Sequence, residues 1–115
     1  MDKKVEISIL LECYGKLLTE KQYNLLNDYY NNDLSLSEIA ENENITRQAV
    51  RDVIKKGENK LFEYEEKLEF MRKTVKQNEK IAKALSRITK IQSNYSDKQI
   101  ITILEEVKKE LNYLV

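Results

Sequence analysis

Two groups of side chains in this sequence are of the types and spacing that bind nucleic acid. The first is Thr46, Arg47, Gln48, Arg51, Lys55 and Lys56. Arginine offers a planar fork that pairs bidentately with guanine, glutamine pairs the same way with adenine, and lysine meets phosphate. Arg47, Arg51 and Lys55 follow one another at intervals of four, which puts them on one face of a helix. Lys60 extends the phosphate reach, and Asp52 works against it unless it pairs with Arg51, Lys55 or Lys56. The second group is Arg72, Lys73, Lys76, Lys80, Lys83, Arg87 and Lys90, opposed within residues 70–92 by Glu79 alone, for a segment charge of +6. Such a run is either a solvated helix face or a contact for a polyanion, RNA or an acidic protein.

The elements that must position the first group are two helices and a tight turn, from Leu34 to Ile54. Ser35-x-x-Glu38 is a capping box, which starts a short helix carrying Leu36, Ile39 and Ala40. Asn42-Glu43-Asn44 breaks that helix, and Asn44 can take the positive φ that the turn needs. Thr46 can N-cap the next helix. Ala40 is small enough for a close crossing, and Ile45, Val50 and Val53 complete a miniature core. This is the spacing of a helix-turn-helix, whose second helix presents its N-terminal half to a DNA groove.

The remaining chain also reads as helix. Residues 5–18 are densely apolar on more than one face, with Gly15 an early stop. Thr19-x-x-Gln22 is a capping box for a helix with Tyr23, Leu26 and Tyr30, closed by Asn31-Asn32-Asp33. A long helix is expected over Arg47–Val75, because Val50, Ile54, Gly57, Leu61, Tyr64, Leu68, Met71 and Val75 form a seam of alternating four- and three-residue steps. Gly57 kinks that helix or allows a close crossing. The apolar phase changes afterwards, so a break is expected near Gln77-Asn78. Ser93-Asn94-Tyr95 reads as a loop, and Ser96-x-x-Gln99 as a capping box for a last helix with Ile100, Leu104, Val107, Leu111 and Leu114.

Composition removes whole classes of function. The 115 residues suffice for one ordinary domain or two very small ones, and they include no Pro, no His, no Trp and two Gly. Many-turned β architectures are disfavoured, and every histidine-based mechanism is excluded. One cysteine, Cys13, cannot form an internal disulfide, and with no His a structural zinc site is not expected. Cys13 lies in an apolar helix and reads as core, and no Gly-rich phosphate loop is present, so neither enzyme activity nor cofactor is expected. No apolar run is long enough to span a bilayer and the N-terminus is not a secretory signal, so a cytoplasmic protein with no membrane insertion is expected. The formal net charge of zero hides a polarity. Residues 1–45 carry four lysines against nine acids (−5), and residues 46–115 carry sixteen cations against eleven acids (+5).

The chain resembles the YlxM family of small bacterial proteins linked to the signal recognition particle. The resemblance is carried by Tyr14-Gly15, Leu17-Leu18-Thr19, Lys21-Gln22, Tyr29-Tyr30, Asp33 to Glu41, Thr46-Arg47-Gln48-Ala49-Val50 and Tyr64-Glu65-x-Lys67-Leu68. It implies a fold like region 4 of bacterial sigma factors and a role in the protein-targeting pathway of the particle. Three positions depart from the pattern: Thr46 replaces the usual Ser, Glu43 a usually apolar residue, and Arg51 a usual Tyr. Glu43 is expected to loosen the turn, and Arg51 adds charge to the DNA-facing side.

The expected fold is thus an all-α bundle with a sigma-region-4-like helix-turn-helix, one long central helix and a C-terminal helical segment. The expected division is a helix-turn-helix domain over 1–60 and a helical extension over 61–115, packed on it or on a partner subunit. The expected function is a DNA-binding regulator with components of the particle as partners. The alternative is a module that binds the particle's GTPase, its receptor or its RNA, without reading DNA. The apolar stripes that must be buried favour a homodimer.

Overall fold

In the computed structural model, which describes residues 1–114, each α-helix forms where a side chain can satisfy the free backbone donors of its start. Asp2 caps α1 (Lys3–Tyr14) by accepting from the Lys4 N–H. A single 3-10 turn over Gly15–Leu17 leads to α2 (Glu20–Tyr30), where the Thr19–Gln22 capping box is formed in both directions. The Ser35–Glu38 box likewise starts α3 (Leu36–Glu43), and Thr46 starts α4 (Arg47–Leu68). Then come α5 (Phe70–Asn94) and α6 (Lys98–Tyr113). The described residues contain six α-helices and no strand, an all-α bundle.

The chain divides into two units, one over Met1–Met71 and one from Arg72 onward. The division expected at residue 60 lies inside α4, whose Leu61 is fully buried in the first unit. The core of that unit is built from Ile7, Leu10 and Tyr14 of α1, Leu25 and Leu26 of α2, Ile39 of α3, and Val50, Ile54 and Leu61 of α4. Gly57 sits where α2 crosses α4, and a Cβ there would lie 2.6 Å from the Leu26 Cδ1. Of the two options at this glycine, the fold uses the close crossing. At Gly15 the expected stop is observed, with a right-handed φ of −54°. The glycine leaves room for the Tyr23 ring, which would have to shift if a Cβ were added 2.8 Å from it.

Four boundaries differ from the sequence expectation. The long helix does not run to Val75, and no break occurs at Gln77-Asn78. It ends at Leu68, because Glu69 takes a left-handed conformation with φ 56°. The cause is tertiary. The Phe70 N–H donates to the Tyr14 hydroxyl (3.0 Å) and the Met71 N–H to the Glu65 carboxylate (2.9 Å). Tyr14 in turn donates to the same Glu65 oxygen (2.7 Å), so α1 and α4 together cap α5. The apolar seam ends with it, and Leu68 is 41% exposed. The loop expected over Ser93-Asn94-Tyr95 begins later, because α5 continues through Asn94 and the link is residues 95–97. The last boundary is at α6, whose cap is Asp97 rather than Ser96, accepting from the Gln99 and Ile100 N–H groups.

In the second unit α5 returns on itself through residues 95–97 into α6. Gln92 ties the two arms together, donating to the Ile101 carbonyl (3.3 Å) and the Glu105 carboxylate (3.0 Å) and accepting from Lys108. Ile81 is buried, whereas α6 buries no side chain fully and leaves Ile100 and Ile103 exposed, as is Leu114 just past its end.

Candidate nucleic-acid interface

The turn between α3 and α4 sets the interface. Asn44 adopts φ 55° and ψ 44°, the left-handed conformation expected of it, and its N–H donates to the carbonyls of Ala40 and Glu41. The Ile45 N–H donates to the Ala40 carbonyl at 3.0 Å, which closes the helix end. The turn is therefore fully bonded and Glu43 does not loosen it, because its side chain points to solvent and the turn geometry is carried by the backbone. Ile39, Ala40, Val50 and Ile54 are buried between the two helices and fix their crossing. Thr46 accepts from the Ala49 N–H at 3.0 Å, so α4 starts at Arg47.

With the start fixed, the side chains follow by period. Arg47, Gln48, Arg51 and Lys55 are all exposed, within an arc of about 100° at 3.6 residues per turn. Lys56 and Lys60 are exposed as well but turn away from that arc, so they form its edge. Asp52 does not pair with Arg51, Lys55 or Lys56. Its carboxylate instead accepts from the Gln48 amide at 2.9 Å, one helical turn earlier. The acid thereby orients the glutamine, and the neighbouring cations keep no ion-pair partner among the described residues.

The structure adds residues that no local pattern marks. Lys3, Tyr29, Tyr30 and Glu58 line a cleft with Arg51 and Lys55. The Tyr30 hydroxyl donates to Glu58, and Lys3 pairs with the same carboxylate at 3.3 Å. This ties α1 and α2 to α4 beside Arg51 and Lys55, about two turns along the helix from Arg51. Burial, and then the hydrogen bond to Glu58, push the Tyr30 phenol far above its ordinary value. The only sequence signal for this set is that Glu58 lies four residues beyond Ile54 on a half-buried row; Lys3 and Tyr30 are too distant in sequence to be paired with it. Cys13 is partly buried, and its thiol is pushed up by burial and by Glu65 and Glu12, the setting of an inert core cysteine.

The basic segment from Arg72 to Lys90 lies entirely on α5, and all seven cations are exposed. No three Asp, Glu or Cys residues gather as a metal site among the described residues, and no helix there is long and apolar enough to cross a membrane.

The chain is similar to known proteins over nearly its whole length. The model of a family described as "Putative helix-turn-helix protein, YlxM / p13 like" matches residues 1–109. A UPF0122 protein of Clostridium acetobutylicum is 41% identical over 113 residues, covering 97% of this chain and 97% of that one. One of Clostridium kluyveri is 45% identical, covering 100% of this chain and 97% of its own length. One of Fusobacterium nucleatum is 53% identical over 78 residues, covering 66% of this chain and 76% of its own.

Proposed function

Because the chain belongs to this YlxM/p13-like family of helix-turn-helix proteins, we propose that it is a non-enzymatic DNA-binding regulator that reads the major groove with α4. The observation that carries the reading is the turn itself. A left-handed Asn44 followed by the Thr46 cap leaves Arg47, Gln48, Arg51 and Lys55 exposed at the start of a helix, the three cations without an ion-pair partner among the described residues. In that reading Arg47 and Arg51 pair with guanines, Gln48, held by Asp52, pairs with adenine, and Lys55 and Lys56 meet phosphates.

One short recognition helix reads few base pairs, so two copies on a symmetric site belong to the proposal. The exposed apolar residues of α6 support a homodimer. The comparison with region 4 of sigma factors, a cytoplasmic location and a place in the signal recognition particle pathway enter the proposal through the family resemblance. The pathway is tested by asking whether the tagged chain co-purifies with the particle's GTPase, receptor or RNA.

The DNA reading is tested by selection from a genomic fragment library at low salt, followed by titration of the enriched fragments. Enrichment of a common, two-fold symmetric motif, lost on the pair Arg47→Ala with Arg51→Ala, is the expected result. No enrichment over random sequence would overturn the reading.

A further inference from the structure

The recognition face leaves the strongest charge feature of the molecule unused. At 3.6 residues per turn, Arg72, Lys73, Lys76, Lys80, Lys83, Arg87 and Lys90 fall within an arc of about 100° on α5. Every position of that arc between 72 and 90 is Lys or Arg. Buried Ile81 and half-buried Asn78, Leu85 and Ile88 lie on the opposite side. The cations therefore form one straight ridge of about 27 Å at 1.5 Å per residue. From Lys73 to Lys90 none has a carboxylate within ion-pair distance among the described residues, although Glu79 sits at the edge of the arc.

What such a ridge lacks decides its partner. Protein interfaces are anchored by buried aromatic or aliphatic side chains, with charge depleted from their centres. No large apolar side chain is exposed on α5 between Phe70 and Ile91. Single-stranded nucleic acid is held largely by stacking successive bases on aromatic rings, and the ridge has none along its length, with Tyr95 the one ring beside it, near Arg87 and Lys90 at its end. A duplex backbone needs neither. It presents one charge per about 3.4 Å along each strand, so the ridge spans about eight phosphates with its row of lysines and arginines. Binding of this kind is driven by counterion release and reads no sequence.

We infer that the basic face of α5 is a second, sequence-independent site that grips the phosphate backbone of duplex DNA. It deepens the proposed function, since it adds to a sequence-reading helix the general DNA affinity that base contacts alone do not supply. It also has its own residues and readout.

The test titrates the full chain against a labelled random-sequence 30-base-pair DNA duplex by anisotropy at several salt concentrations. The same titration is run with an RNA duplex of the same sequence and with an oligothymidine strand. The triple variant K76Q/K80Q/K83Q is compared with K76R/K80R/K83R and with R47A/Q48A, all checked for helicity by circular dichroism. The neutral triple is expected to bind the DNA duplex about tenfold or more weakly, with a log–log salt slope shallower by about 2 to 3, because about 0.9 ion is released per phosphate contact. The arginine triple is expected to match the wild type. R47A/Q48A is expected to lose preference for a selected fragment over the random duplex, while its random-duplex salt slope falls by less than that of the neutral triple. An unchanged slope in the neutral triple, no wild-type affinity for the random duplex, or a loss confined to RNA or to the single strand overturns the inference. Loss of sequence preference in no variant overturns the recognition-helix reading alone.

Discussion

Asp52 shows how one side chain changes meaning once its partner is known. In sequence it is an acid among cations; in the structure it holds the Gln48 amide at 2.9 Å. Asp52→Ala is therefore expected to lower discrimination at the position Gln48 reads, several-fold, because the freed amide samples other rotamers. Binding to random duplex should stay equal or rise as a negative charge leaves. Side-by-side titration of selected and random fragments checks it. Tyr14 and Tyr30 make a prediction of a different kind. Burial first, and then their carboxylate partners Glu65 and Glu58, raise both phenols above the ordinary value of 10.0. A raised acid holds its proton more tightly folded than unfolded, so its stabilisation is complete below pH about 10 and is lost as pH rises beyond. Stability should fall steeply in alkali, and Tyr30→Phe should flatten that fall at some cost near neutrality, as urea melts at pH 8 and above pH 10 would show. Neither role is legible locally in full. The Gln48–Asp52 spacing of four is visible in sequence, but the pairing of Tyr30 with Glu58 spans 28 residues.

At the scale of elements, the starts of α2, α3 and α4 were legible, and the end of α4 and the starts of α5 and α6 were not. Thr19, Ser35 and Thr46 cap the helices that their capping chemistry marks, because a cap needs only the N–H groups two or three residues on. The break at Glu69 has no glycine or proline to announce it. Residues 65–71 favour a continuous helix, and Tyr14, 56 residues from Phe70, supplies the acceptor that stops it. A non-glycine residue in the left-handed region costs about 1 kcal/mol. Glu69→Gly is thus expected to stabilise the first unit slightly, and Tyr14→Phe to destabilise it by about 1–3 kcal/mol by orphaning the Phe70 N–H. The opposite pattern would mean that the break is intrinsic to residues 65–71. Gly57 tests the crossing of α2 and α4. Alanine gains about 1 kcal/mol of helix propensity there. It also places a Cβ 2.6 Å from the Cδ1 of Leu26, a side chain with no exposed surface in which to move. Overpacking of that kind costs about 1–3 kcal/mol, so Gly57→Ala should be neutral at best and destabilising by up to about 2 kcal/mol in chemical denaturation.

At the scale of the whole molecule, the second unit is under-buried for its composition. Ile100 and Ile103 of α6 and Leu114 after it stay exposed, Ile103 at 59%, and an amphipathic helix without a covered apolar face gains little stability. If two copies cover these residues, Ile103→Glu should convert a dimer to a monomer in light scattering at micromolar concentration while the first unit keeps its melt. A wild-type chain that is monomeric at high micromolar concentration would sink the dimer. By itself the sequence determined the all-α class, the capped starts of α2, α3 and α4, the left-handed Asn44 and the exposed cations of α4 and α5. Each of these depends on residues within about one helical turn, where period and backbone chemistry suffice. Only the tertiary structure decided where α4 ends, that Gly57 serves a crossing, and that Lys3, Tyr30 and Glu58 brace the recognition helix. Those contacts arise where α1 and α2 cross α4, and a crossing joins residues tens of positions apart that no local spacing relates.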